Sequence, residues 1–277
     1  MPEHAAPGCG RVAMLTVAVA AVSGAVLALV LGLLLGRTRR AREGSTTPQA
    51  LSFAGAAILG FFALFLGFSI AGTWQQLNSA RQHTYEESRA LTEAYWTAGG
   101  LSGADQPVVQ ERLRSYTRVV IDDEWATMQH GTGSQTAWQA IDQVRAAVDQ
   151  ATVHNQAEAS ARTDVLRSLS EVNAKRNARL GDLRASVPVL AIGGLLVGAV
   201  FVLATPSVIG LTSNPRNLVL MCFVGASVAF GVSMVAVMSG PFSGAVRVQP
   251  TAFQLALDRY DQIDGDVGAS ALPPFRS

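Results

Sequence analysis

The sequence is short of charge. Only 15% of its residues are charged while 49% are hydrophobic, and the mean hydropathy is +0.28. An ordinary soluble domain carries about a quarter charged residues, so a purely soluble chain is disfavoured. The shortage is also local. No charge occurs in residues 12–36, 48–76, 185–215 or 217–246, whereas charge is dense between Arg81 and Arg184. A soluble core does not need four such windows. A hydrocarbon slab ~30 Å thick does.

Other absences narrow the chemistry. There are two cysteines, Cys9 and Cys222, in unlike contexts and without metal-ligand spacing, so neither a disulfide nor a metal centre is predicted. No apolar run precedes Cys9, which excludes a lipoprotein cysteine. The four histidines, His4, His83, His130 and His154, pair with no other histidine or cysteine at ligand spacing. Neither a phosphate loop nor a dinucleotide fingerprint occurs. A net charge of +1 leaves no footprint for nucleic acid. No catalytic residue, metal ligand or cofactor is predicted, and the chain does not read as an enzyme. The acidic triplet Asp122, Asp123 and Glu124 points around a helix rather than into one site, and reads as a solvated face. The apolar windows hold no ionisable residue, which disfavours proton-coupled transport within one subunit. A pore remains open, because channels can gate through a hydrophobic constriction.

What is present predicts an all-α membrane protein. Four transmembrane helices form two hairpins around an inserted helical soluble domain. A tail, residues 1–13, precedes the first hairpin, residues 14–73, with spans at about 14–36 and 51–73. The apolar run at 14–36 is too long for a signal-peptide core and ends in Arg37, Arg39 and Arg40, so it reads as a retained span. The helical domain covers residues 74–186. The second hairpin, residues 187–238, has spans at about 187–209 and 217–238. A turn and short helix follow at 239–263, then a disordered tail at 264–277. Short links within each pair make antiparallel neighbours. Glycines such as Gly193, Gly194, Gly198, Gly225 and Gly231 suit close helix packing.

Inside the domain, Trp74, Leu77, Tyr85, Leu91 and Tyr95 continue the second span as a stalk that ends at Gly99 and Gly100. Asp105 caps the next helix, with Pro107 in its first turn. Ser134 caps another, bearing Trp138, Ile141, Val144 and Val148. A long helix from about residue 155 to 184 presents Val165, Leu169 and Val172 on one face. It leads towards the third span, with Pro188 at the junction. Lys175, Arg176, Arg179 and Arg184 form a basic strip near the third span, suited to anionic lipid headgroups or, less simply, to an ion vestibule. Near the end, Val246 and Val248 suit a short extended piece, and residues 251–260 a final helix.

These features carry a resemblance. Two spans, a helical insert and two spans are followed by Pro241, Phe242, Ser243 and Gly244. The insert contains YEESRALTEAYW (85–96), LRSYTRVVIDDEW (113–125) and KRNARLGDLRASVP (175–188). Over nearly its whole length the chain resembles the bestrophin-like family of membrane proteins. The glutamate–tryptophan pair Glu124 and Trp125 and the PFSG segment are its most specific pieces. The resemblance implies similarity to bestrophins, which are pentameric anion channels with a cytosolic helical region.

Two functional readings follow. In the first, the chain self-associates into an ion channel, with an anion as the expected ion. Phe61, Phe65 and Phe68 lie at i, i+4 and i+7 on the second span, so they share a face. Around an axis that face makes an apolar neck whose positive ring edges tolerate an anion. The same face also suits lipid or another helix. In the second reading, the chain is a non-channel sensor or scaffold whose helical domain binds a partner or ligand. Pro241 to Gly244 and Arg247 suit either anion binding or a turn returning the chain to its domain. In both readings the bilayer is the medium and the plasma membrane the location, with multiple passes. Positive charge is divided between the two faces. Its density on the short links favours a helical domain outside, while the total count and the likeness to bestrophins favour a cytoplasmic one; the reading leans to the cytoplasmic placement, with both termini on the domain's side.

Overall fold

The computed structural model describes residues 19, 22, 23, 26, 30, 48–183, 189–209, 215–243 and 246–270. The first span, apart from five helical positions, lies outside the described residues. So do the Arg37–Arg42 link, Arg184, Pro188 and Gly244. The described residues are all helical in their regular structure, without strands. The short extended piece expected near Val246 is not formed as a strand. Instead the Val248 N–H donates to the Pro241 carbonyl at 2.8 Å, which closes a loop.

Helix α1, Pro48–Ala98, runs 51 residues without a break, or about 77 Å. Pro48 suits its first turn, where no N–H is required. Nothing interrupts it before Gly99 and Gly100. Helix α2 is Asp105–Val119. Its start differs from expectation, because Asp105 is the first helical residue and not the cap. Ser102 takes the local role, donating to the Asp105 carboxylate at 2.7 Å. That carboxylate also accepts from the backbone N–H and the hydroxyl of Thr152.

A π-helical turn, Val120–Glu124, leads into the short helix α3, Trp125–Met128. Gly131, at φ +79°, ends this stretch in a conformation that only glycine adopts freely. Helix α4, Gln135–Gln150, is capped by the Ser134 hydroxyl accepting from the Ala137 N–H, as its sequence position predicts. Helix α5, Gln156–Asp182, is capped by Asn155 accepting from the Glu158 N–H. Helices α6, Val189–Ile209, and α7, Pro215–Met238, are apolar throughout most of their length. Helix α8, Thr251–Ser270, is longer than expected. The stretch from Asp264 to Ser270, predicted as the start of a disordered tail, is helical. Asp264 accepts from the Tyr95 hydroxyl and from Arg114.

Among the described residues, two helices are long and apolar enough to cross a membrane, 52–98 and Pro215–Met238, with a shorter apolar helix at 192–206. The described residues divide into two compact units. The membrane unit holds α1 up to Gln76, together with α6 and α7. Its core joins Phe62, Leu195, Ala199, Leu203 and Val228. Small residues are needed there. A Cβ on Gly231 would lie 2.5 Å from Leu66, and one on Gly198 would lie 3.0 Å from the Phe62 ring. Gly193, by contrast, faces open space. The helical unit comprises the described parts of residues 77–185, 241–243 and 247–277. Its core is built from α1 (Leu91, Tyr95), α2 (Leu113, Tyr116), α4 (Ile141, Val144), α5 and α8.

Candidate functional site

The helical unit buries charge. Three apolar helix stripes each change to charge within the core. On α1 the buried row is Ala80, Thr84, Glu87, Leu91, Ala94. On α5 it is Val165, Leu169, Val172, Arg176, Arg179. On α2 and the π turn it is Leu113, Thr117, Val120, Glu124. These spacings keep every member on one face. Packing the three faces together therefore brings Glu87, Glu124, Arg176 and Arg179 to a common centre, where all four are fully buried.

The four charges balance and pair closely. Arg176 donates to Glu124 Oε1 at 2.5 Å. Arg179 lies between the two carboxylates, with Nη2 on Glu124 at 2.8 Å and Nε on Glu87 at 2.7 Å. The Tyr116 hydroxyl donates to Glu87 Oε1 at 2.9 Å. The Ser134 N–H donates to Glu124 Oε1 at 3.3 Å, and Arg176 donates to the Ser134 carbonyl, also at 3.3 Å. The network thereby reaches the N-terminus of α4. Asp123, beside Glu124, accepts from the Ser134 hydroxyl. Aromatic faces complete the enclosure. The Arg176 guanidinium lies 3.9 Å from the Trp138 ring centre. Arg179 lies 5.5 Å from Trp125 and 5.4 Å from Phe253. Arg176 Nη1 has no hydrogen-bond partner, and the ring of Trp138 offers this guanidinium its π face instead.

Burial opposes the charge of Glu124, but the neighbouring Arg179 and Arg176 outweigh it and hold its carboxyl below the ordinary value. Burial also opposes the charge of Arg179, and Glu87 and Glu124 more than offset this, so it stays protonated. Burial and then the Glu87 charge push the Tyr116 phenol well up, so it remains a donor. The chemistry of this arrangement is a closed clamp. Each carboxylate is engaged by guanidinium, and the site holds no free nucleophile or base.

The π turn orients the acidic member. In this turn the Trp125 N–H donates to the Val120 carbonyl, five residues back. Adjacent residues of a regular helix point about 100° apart, yet Glu124 and Trp125 are both buried. Inserted residues of this kind re-aim side chains and recur at functional sites. Trp125 is in turn the anchor of the segment after α7. Its ring meets Phe242 edge-on, with centres 5.6 Å apart, and Phe253 at 5.8 Å. Its Nε1–H donates to the Val248 carbonyl at 3.3 Å. Glu124, Trp125, Pro241 and Phe242 thus converge in the helical unit, while Ser243 is exposed. The segment returns the chain to its own domain, and Arg247 donates to Gln129 at 3.2 Å.

Two sequence expectations need correction. Arg176 and Arg179 are not part of a lipid-facing strip, because both lie at the centre of the buried clamp. Lys175, on another face, pairs with Glu86 at 2.9 Å. Nor is the acidic triplet uniformly solvated: Asp122 is exposed, but Glu124 is fully buried. A signal for the clamp existed in the sequence. Each charge continues an apolar stripe in register, which a solvated residue does only by coincidence.

In the membrane unit, Phe61 and Phe68 are each 75% exposed and Phe65 is 39% exposed, while Phe62 is only 6% exposed. The described helices therefore cover Phe62, leave Phe61 and Phe68 outward, and cover part of Phe65, whose ring lies beside Gly194 of α6. Among the described residues no group of three or more His, Cys, Asp or Glu side chains is placed to hold a metal ion.

The described residues form an all-helical chain of two compact units, one of which holds helices long and apolar enough to cross a membrane, and solved membrane proteins share this fold. A bacterial bestrophin homologue from Klebsiella pneumoniae, in a form with an isoleucine-to-threonine mutation, superposes at TM-score 0.61 with 13% identity. The match covers 87% of this chain and 98% of that one. A tyrosine-to-alanine form of the bestrophin homologue matches at TM-score 0.61 with 14% identity, over 88% and 98%. A membrane protein with a proline-to-alanine mutation matches at 0.62 with 14% identity over the same shares. At this identity the likeness concerns the fold. The sequence itself goes further: it matches the bestrophin-like domain over residues 13–253, and the chain belongs to the bestrophin-like family. No curated protein matches it.

Proposed function

We propose that this protein is a homo-oligomeric anion channel of the plasma membrane, built from four spans per subunit, with α1 lining the axis. Phe61, Phe65 and Phe68 form its hydrophobic neck. The observation that carries this reading is the contrast along α1: Phe62 packs into the subunit's own core, whereas Phe61 and Phe68 are exposed and Phe65, beside Gly194 of α6, is only part covered. A face left uncovered by its own subunit is available to an axis, and ring edges with partial positive charge tolerate an anion while excluding bulk water. The spans hold no Asp, Glu, Lys, Arg or His for proton coupling. Conduction is therefore passive, and the chain is neither an enzyme nor a cofactor carrier. The buried clamp holds the helical domain, residues 74–186, in one conformation. The helical domain and both termini lie on the cytoplasmic side.

Reconstitution tests this reading. Liposomes containing the purified protein pass chloride, and Phe65→Ala widens the neck and raises the flux. A strictly monomeric protein in nanodiscs, or liposomes without anion flux, overturns it. Cysteines introduced between Arg81 and Arg89 react with an impermeant maleimide only after the inner face is opened. Labelling of intact cells overturns the cytoplasmic placement.

A further inference from the structure

The buried clamp is part of a longer polar ladder between α1 and α5. Three rungs cross from one helix to the other, all within the helical unit. Glu87 meets Arg179 at 2.7 Å, Glu86 meets Lys175 at 2.9 Å, and His83 meets Asp182 at 2.8 Å through Nδ1. Spacing builds the ladder. His83 and Glu87 are four residues apart on α1, and Arg179 and Asp182 are three apart on α5, so each couple shares a helix face one turn apart. The rungs of Glu87 and Glu86 join a carboxylate to a permanent cation. The third joins a carboxylate to a histidine, the side chain whose charge changes between pH 5 and 8. It is sheltered, with the His83 side chain 30% exposed and that of Asp182 12%.

Charge along the ladder does not balance without a proton on His83. The groups joined by ion pairs are four carboxylates, Glu86, Glu87, Glu124 and Asp182, and three permanent cations, Lys175, Arg176 and Arg179. A cationic His83 is the fourth positive charge and makes the set neutral. Asp182 is where positive charge falls short. Gln82 and Lys175 hold the Glu86 carboxyl below its ordinary value. Burial opposes the charge of Glu124, but Arg179 and Arg176 outweigh it. Asp182 is shifted the other way: burial pushes its carboxyl up, and His83 and the charge of Arg179 offset this only in part. Other ionisable groups nearby lie off the ladder. Arg81, two residues before His83, is exposed, and exposed Glu171 acts on Lys175. The other histidines of the helical unit, His130 and His154, are exposed as well.

We propose that the His83–Asp182 rung is an acid-sensitive latch, in which a proton on His83 completes the charge of the ladder and draws α1 and α5 together. The sign is definite. A histidine is neutral at pH 8 and largely cationic at pH 6, so the rung changes from a single hydrogen bond to an ion pair as pH falls. The latch lies within one subunit and does not depend on conduction, so its test reads hydrogen exchange and not flux. The full-length protein in nanodiscs is compared at pH 6 and pH 8, and protection of residues 80–87 and 176–182 is corrected for the intrinsic exchange rate at each pH. Protection is expected to be about threefold higher at pH 6, the order of a part-exposed ion pair. His83→Gln, which is neutral at both values, and Asp182→Asn are expected to abolish the difference. His83→Lys, a permanent cation, is expected to keep the pH 6 protection at pH 8. Helical circular dichroism checks that each variant is folded. Equal protection at both values in the unmutated protein, or lower protection at pH 6, overturns the latch. A difference that persists in folded His83→Gln places the proton elsewhere and overturns it too. A folded His83→Lys protein without the raised protection overturns charge as the cause.

Discussion

At the scale of single residues, the helical unit is governed by the balance of four buried charges. Removing one member of a buried pair leaves the other uncompensated, which costs about 3–5 kcal/mol. Glu124→Gln is therefore expected to destabilise the protein strongly, because Arg176 then has no carboxylate partner and Arg179 keeps only Glu87. The double substitution Glu124→Gln with Arg176→Met restores neutrality and is expected to recover more than half of the loss. A thermal-unfolding double-mutant cycle measures the coupling, and simple additivity of the two losses would count against charge balance as the cause. The pH dependence has a definite sign. The Glu124 carboxyl is held below its ordinary value of 4.5 in the folded state. Its contribution is thus fully present above that value and is lost as pH falls through the folded pKa. Unfolding temperature should drop below about pH 4.5, and the drop should shrink in Glu124→Gln. An identical acid limb in both proteins would contradict the assignment.

At the scale of elements, two packing contacts decide stability. In the membrane unit α7 meets α1 at Gly231, where Leu66 occupies the space of a side chain. Gly231→Ala forces that leucine aside, and overpacking of this kind costs about 1–3 kcal/mol. Gly193→Ala, in open space, should be silent by the same thermal assay. In the helical unit the segment after α7 is held by Phe242 against Trp125. Phe242→Ala is expected to cost about 3–5 kcal/mol. It should also speed hydrogen exchange of the Val248 N–H, whose bond to Pro241 closes the loop. Protection unchanged at Val248 would show that the loop does not depend on the ring.

Element positions were largely legible beforehand, since glycines, prolines and caps punctuate the chain. Ser134 and Asn155 cap the helices that follow them, and Gly99 and Gly100 end α1. Two boundaries were not legible. Ser102 displaced Asp105 as the residue holding the α2 start, because the Asp105 carboxylate is drawn to Thr152, which is distant in sequence. Helix α8 extends past Tyr260 because Arg114 holds Asp261 and Asp264 at 2.6 and 2.9 Å. Local propensity contains neither contact.

At the scale of the whole molecule, the proposed channel predicts how the neck behaves. Phe61→Ala and Phe68→Ala should each raise anion flux in liposomes, as is expected of Phe65→Ala. Phe62→Ala should lower stability instead, because its ring is packed against Gly198. If Phe62→Ala raised flux and the other three did not, the axis would lie on a different face of α1.

What the amino-acid order determined alone was the medium and the class. Charge-free windows can be read without knowing any contact, because burial in hydrocarbon constrains each residue singly. The family resemblance was likewise visible in linear motifs. Only the tertiary structure decided the fate of the charges outside those windows. Arg176 and Arg179 look like any basic strip until α1, the π turn and α5 are packed together, for a charge is neutralised by neighbours far along the chain and not by those beside it. The same holds for the phenylalanines. Phe61 and Phe62 are identical in kind and adjacent in order, and only the packing of α6 and α7 covers one and leaves the other outward.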